Sequence, residues 1–110
     1  KAMQMADGQL KRYLAIIQLK ADTPLADLAR RVPGLQRFIS ELSNGEMEQA
    51  FRSPEGHIFG VFFKSKKPEA IIRSVLDQAT GNGDGFLVFE AGSLAATKMF
   101  GRPATWLQHH

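Results

Sequence analysis

Cysteine is absent from this chain of 110 residues, and its absence excludes disulfide bonds, iron–sulfur clusters and thiol nucleophiles. Long apolar runs are absent too, because no stretch reaches the roughly 18 apolar residues of a membrane-spanning helix. The first eight residues, KAMQMADG, lack the apolar core of a secretory signal. From these absences we expect a cytoplasmic protein without a membrane partner.

The familiar catalytic and cofactor motifs are also missing. The sequence has no G-x-S-x-G, H-E-x-x-H or G-x-x-x-x-G-K-[ST] match. His57 is the only histidine away from the C-terminus, and Glu55 across a turn is its nearest acidic neighbour. We expect a structural role for His57, and we predict no catalytic residue, no metal and no cofactor. A small enzyme or ligand sensor with a pocket near His57 and Trp106 is the alternative.

Fourteen basic against eleven acidic residues give a net charge of +3, a mild excess. Lys64, Lys66 and Lys67 concentrate part of it in one basic patch. Such a patch can meet a phosphate or an acidic partner, but a solvated surface is the simpler interpretation.

With 44% apolar and 23% charged residues, the chain is predicted to form one globular domain with a single core. We place this domain at residues 9–107. Residues 1–8 and 108–110 are expected to be flexible or non-native ends, because His109-His110 has the composition of a purification tag.

Four short segments have the pattern of β-strands. Residues 12–20 and 57–64 would place apolar side chains on both faces of the sheet, which favours central strands. Residues 46–52 alternate and carry charges, as an edge strand does. Residues 86–90 are almost entirely apolar, so we expect the C-terminal tail or another subunit to cover this strand.

Two main helices are predicted between these strands. Thr23 is expected to cap the first helix, and the sequence SNG at 43–45 to end it. Two apolar sets within this helix lie ten residues apart, or about 280° around an ideal helix. We therefore predict that the helix breaks near Pro33-Gly34. Pro68 is expected to begin the second helix.

A C-terminal helical tail is predicted after the last strand. Ser93 is a candidate cap for a short helix over 94–100 that Gly101 would end. Beyond it, Trp106 and Leu107 are expected to anchor an irregular segment to the body of the domain.

The resulting order of elements, βαββαβ, matches the ferredoxin-like arrangement. We therefore predict an α+β sandwich with a four-stranded antiparallel sheet, in which the first and third strands are central. This topology is shared by proteins of unrelated function and implies no iron.

The segment TGNGDGFLVFEA, residues 80–91, partly matches the sequence pattern of an EF-hand calcium loop. It places Asn82 and Asp84 at positions 3 and 5, but Thr80 and Ala91 occupy positions 1 and 12, which need carboxylates. The glycines also follow a helix, whereas in a phosphate-binding loop they precede one. We interpret this segment as a structural turn.

Two helices can cover only one face of the sheet, and the other face is predicted to be apolar as well. A monomer rarely exposes an apolar patch larger than a few hundred Å². We therefore predict a non-catalytic binding or assembly module, with a two-fold homodimer as the commonest solution. A protein partner, an apolar ligand or the tail are the alternatives. The predicted interface residues are Leu14, Ile16, Ile58, Phe62, Leu87 and Phe89.

Nucleic acid is the third candidate function. RNA recognition on such a sheet needs exposed aromatic side chains on the two central strands. If the face that carries Phe62 is the open one, the two strands expose a single aromatic ring. If the face that carries Tyr13, Phe59 and Phe63 is the open one, three rings can stack bases, but the core is left with fewer bulky side chains. Nucleic acid is therefore not favoured.

Overall fold

Four strands form one antiparallel sheet. The computed structural model describes residues 8–92, 94–98 and 100–110, so Ser93 and all but Gly8 of the predicted end at 1–8 lie outside the described residues. The strands, in the sheet order β2-β3-β1-β4, are β1 (Lys11–Gln18), β2 (Met47–Arg52), β3 (Ile58–Ser65) and β4 (Gly85–Glu90). As predicted, β1 and β3 are central and β2 and β4 are the edges.

Within the described residues, three helices complete an α+β fold, namely α1 (Leu25–Ser43), α2 (Glu69–Ala79) and α3 (Gly101–His109). The first two pack on one face of the sheet, while α3 packs on the other face. Within the described ranges, no helix has the length and apolar composition needed to cross a lipid bilayer.

One alternating set of side chains from the central strands forms the core beneath α1 and α2. These residues are buried, and the rings of Tyr13 and Phe63 stack with centroids 5.3 Å apart. The set consists of Tyr13, Ala15, Ile17, Phe59, Val61 and Phe63. Because side chains alternate along a strand, the other set, with Leu14, Ile16 and Phe62, lies on the opposite face.

The predicted break in α1 is wrong, since the helix runs unbroken through Pro33. Its buried residues recur every three or four positions along one face, so no change of direction is needed. Pro33 and Ala29 are both exposed, and water can therefore bond the carbonyl that loses its helical partner. The buried apolar residues are Leu28, Val32, Leu35, Ile39 and Leu42.

The ends of α1 differ in how well the sequence predicts them. Asn44 adopts the left-handed conformation (φ 52°, ψ 40°) and its N–H donates to the carbonyl of Ser40, as expected of a C-terminal cap. The predicted cap at Thr23 is wrong. Pro24 occupies the N-cap position, and the Thr23 hydroxyl instead donates to the carbonyl of Lys20 at 2.6 Å.

The C-terminal helix lies later in the chain than predicted. Gly101 begins α3 rather than ending a helix, and residues 94–98 are not helical. The helix also continues past the predicted domain end, to His109. Trp106 and Leu107 are buried, as predicted, because α3 turns both onto the sheet.

Gly60 allows β2 and β3 to meet closely on the face beneath α3. It lies opposite Phe51, next to a β-bulge between Gln49 and Phe51. A Cβ at Gly60 would come within 2.8 Å of Cδ2 and Cζ of the Phe51 ring. The bare backbone of Gly60 therefore provides the surface on which this ring lies.

We expect Gly60→Ala to destabilise the fold by about 1–3 kcal/mol, because Phe51 must leave its position. The matched control is Gly34→Ala, since Gly34 is helical and a Cβ there meets nothing within 4 Å. That change should stabilise the protein by about 0.5–1 kcal/mol. Urea unfolding of both variants measures the two effects, and equal effects would contradict this account of Gly60.

Candidate functional site

The sheet face that points away from α1 and α2, hereafter the open face, is partly covered by α3. The Trp106 ring stacks on Phe62 with centroids 6.2 Å apart, and His110 stacks on Trp106 at 4.5 Å. Arg12 reaches up from β1 and donates from Nη1 to the carbonyl of Leu107 at 2.7 Å. Phe62, predicted as an interface residue, therefore lies beneath the protein's own C-terminal helix.

The segment that leads into α3 leaves a small cavity against the sheet. Its volume is about 260 Å³ and its walls include Phe62, Leu94, Phe100 and Leu107. Ligand pockets usually measure about 300–1,000 Å³, so this apolar space is small for a ligand site.

The open face remains uncovered on the side of β4. Leu14 lies opposite Phe89, and Ile16 lies opposite Leu87, so the four side chains are neighbours. Leu87 is 63% exposed and Phe89 49% exposed, whereas Leu14 and Ile16 are half-buried. We call these four residues the β4 flank. They are four of the six predicted interface residues; the fifth, Ile58, is half-buried at the far end of β3.

On the other side of the sheet, a groove of about 480 Å³ separates α2 from β4. Tyr13, Arg73, Phe86 and Glu90 are among its lining residues. Burial raises the pKa of the Tyr13 phenol, and the charges of Glu69 and Glu90 raise it further. The sequence did not reveal this groove, since it depends on how far α2 lies from the edge of the sheet.

The two edges of the sheet are built differently. β2 carries Glu48 and Arg52 and is interrupted by the bulge at Gln49/Phe51, which are features that protect an edge from pairing with other strands. β4 pairs with β1 in unbroken register from Gly85 to Glu90, and it contains neither lysine nor proline. Of the two edges, β4 is thus the one open to another strand.

The glycine-rich turn before β4 is held by Asp84. One carboxylate oxygen accepts from the backbone N–H of Lys20 at 2.8 Å. The other accepts from Arg31 Nη2 at 2.7 Å and from the N–H of Gly81 at 2.8 Å. Both oxygens thus accept from nitrogen donors of the protein, which supports the interpretation of residues 80–91 as a structural turn.

His57 precedes β3, whereas Trp106, on α3, lies over Phe62 in the middle of that strand. His57 comes five residues before Phe62, on which Trp106 stacks; at roughly 3.3 Å per residue the separation along the strand is about 16 Å. Nε2 of His57 is buried and has no hydrogen-bond partner among the described residues. A pocket shared by these two side chains remains a prediction.

The basic patch lies beside acidic residues. Lys64 Nζ is 3.5 Å from Glu46 Oε1, and a cavity of about 500 Å³ lined by Lys64, Lys66 and Lys67 is also lined by Glu41 and Glu46. The local positive charge is therefore partly neutralised, which agrees with a solvated surface.

The chain matches no protein-family model and no curated protein. What it does has to be inferred from its own geometry.

We expect Asp84→Asn to destabilise the protein by about 2–3 kcal/mol, because the amide leaves a charged, partly buried Arg31 unpaired and points N–H groups at other donors. The Asp84 side chain is 1% exposed and that of Arg31 is 26% exposed. Urea unfolding at pH 7 measures the loss. Asp77→Asn, an exposed change on α2, is the control and should stay within about 0.5 kcal/mol of the wild type.

Asp84 should also contribute to the acid sensitivity of the fold. Burial alone would raise its pKa, but hydrogen bonds from Arg31, Gly81 and Lys20 outweigh burial and lower it. Its stabilising contribution is therefore present above the unfolded pKa of about 3.9 and is lost as the pH falls through the lower folded value. The free energy of unfolding of Asp84→Asn should lack this part of the acid-induced decrease, and parallel pH curves for variant and wild type would refute the assignment.

Proposed function

We propose that this chain is a non-catalytic assembly module of ferredoxin-like topology, which forms a homodimer through the β4 flank. The observation that carries this proposal is the incomplete cover of the open face. α3 covers Phe62, yet Leu87 and Phe89 remain exposed next to Leu14 and Ile16. Large contiguous apolar patches on a protein surface mark interaction sites, and the β4 flank brings four apolar side chains together.

The topology is supported by the positions of the strands. β1 and β3 are central, both edges pair antiparallel with them, and the connections run in the order βαββαβ before α3 is added. Because this arrangement serves many functions, the functional part of the proposal rests on the β4 flank alone. A chain without cysteine fits the reducing cytoplasm, where we place it.

A second copy is a better occupant of the β4 flank than nucleic acid or a small ligand. A base-stacking surface needs exposed rings on both central strands, but Trp106 already stacks on Phe62. The exposed ring of the β4 flank, Phe89, lies on the edge strand. A ligand sensor with a pocket near His57 and Trp106 is the second candidate, and a small molecule retained by the purified protein would favour it.

The primary test is the solution mass of the chain, measured by light scattering after size exclusion over a range of concentrations. We expect twice the chain mass of 12.2 kDa. A monomer at every concentration would refute the homodimer, and titrations with nucleic acid and with candidate proteins would then address the other partners.

We expect Leu87→Asp to abolish the dimer, because it places a charge in the centre of the β4 flank. Leu25→Asp is the matched control: Leu25 is 78% exposed and lies at the start of α1, on the other side of the sheet. The control should keep the dimer mass. Loss of the dimer in both variants, or in neither, would contradict the location of the interface.

A further inference from the structure

The hydrogen bonds between β1 and β4 determine which backbone groups of the edge strand are free. The N–H of Ala91 donates to the carbonyl of Arg12, and these residues continue the register that pairs Leu14 with Phe89 and Ile16 with Leu87. Hydrogen-bonded pairs alternate along an antiparallel ladder. The backbones of Gly85, Leu87 and Phe89 therefore bond β1.

The backbones of the three intervening residues, Phe86, Val88 and Glu90, consequently point away from the sheet. No described residue outside the sheet forms a backbone hydrogen bond with them. These three positions are evenly spaced and symmetric about Val88. An antiparallel copy of the same strand, related by a two-fold axis at Val88, would satisfy all three N–H groups and all three carbonyls at once.

We propose that two copies join by antiparallel pairing of their β4 edges, with Val88 opposite Val88 on the two-fold axis. The four strands of each copy would then form one continuous eight-stranded sheet. This proposal rests on the homodimer proposed above. Shifting the axis to Leu87 would leave the outward groups of Glu90 without partners. Sliding one strand by a single residue relative to the other would pair side chains that belong to opposite faces of the sheet. Of these registers, only the one centred on Val88 gives hydrogen-bond partners to the outward backbone groups of all three residues.

The side chains support the same register. On the open face, Leu87 of each copy lies opposite Phe89 of the other, which joins the two exposed flanks into one apolar row of cross-strand pairs. On the helix side, Glu90 lies opposite the second copy's Phe86, whose groove is also lined by Arg73. Arg73 forms no ion pair with any described residue, although Glu69 and Glu90 of its own chain line the same groove; the second copy's Glu90 would add another carboxylate there.

The edge is also accessible. Past β4, Arg12 Nη2 donates to the carbonyl of Gly92 at 2.9 Å, and residues 94 and 96–98 line the cavity on the open face. α2 stands back from β4 across the groove of about 480 Å³. Among the described residues, neither element blocks the outward side of the strand.

Val88→Pro tests the pairing directly. Proline removes the outward N–H of Val88 and costs no bond to β1, and proline is tolerated on an edge strand when its nitrogen faces solvent. Val88→Ala is the matched control, because it shortens the side chain but keeps the N–H. We expect the alanine variant to stay dimeric at concentrations where the proline variant is monomeric, an increase in dissociation constant of at least about tenfold.

A cysteine cross-link provides a second measurement that does not depend on how well the proline variant folds. The chain has no cysteine, so Val88→Cys adds a single thiol. In the proposed register its Cα lies about 5.5 Å from its twin, within the range for a disulfide. Leu87→Cys, the control, lies diagonally from its twin at about 7–8 Å and should cross-link poorly under the same mild oxidation.

The outcomes separate the two proposals. A monomeric wild type refutes both the homodimer and the edge pairing. A dimer that survives Val88→Pro and resists cross-linking through Val88→Cys leaves the homodimer in place but refutes the pairing of the β4 edges. Cross-linking through Leu87→Cys in preference to Val88→Cys likewise refutes it, because the twin residues at 87 would then be the ones in contact.

Discussion

The carboxylate of Asp84 connects three segments of the fold. It binds the backbone of Lys20 just after β1, the side chain of Arg31 on α1 and the turn at Gly81 after α2. This contact fixes where β4 begins relative to β1, and so sets the register that pairs Gln18 with Gly85. Because the register decides which backbone groups point outward, the buried carboxylate also determines the shape of the free edge.

The second organising feature is the division of the open face into a covered part and an uncovered part. Arg12 holds the main chain of α3, and the Phe62–Trp106 stack gives the helix an apolar contact with the sheet. These contacts lie over β1 and β3, and an ion pair between Arg102 and Glu48 extends them to β2 at 3.7 Å. These contacts of α3 reach β1, β2 and β3, and Leu87 and Phe89 of β4 are left exposed.

The contrast between the two edges connects this geometry to assembly. A bulge and charged side chains protect β2, whereas β4 is regular, apolar and unpaired on its outer side. Folded proteins commonly protect edge strands from such pairing. An unprotected edge beside an exposed apolar flank is consistent with a site at which a second copy adds its own edge strand.

Short apolar or alternating segments predicted the four strands, and their order βαββαβ predicted which of them are central. Turn chemistry predicted a structural turn within residues 80–91. Sequence alone also identified Trp106 and Leu107 as buried anchors and Leu87 and Phe89 as surplus apolar residues. It misjudged Pro33, whose lost hydrogen bond is tolerated because that side of α1 faces solvent. Only the tertiary structure decided that α3 lies over Phe62 and not over Leu87. The position of α3 depends on the hydrogen bond between Arg12 and Leu107, which lie 95 positions apart in the chain. A contact between such distant residues leaves no local pattern in the sequence.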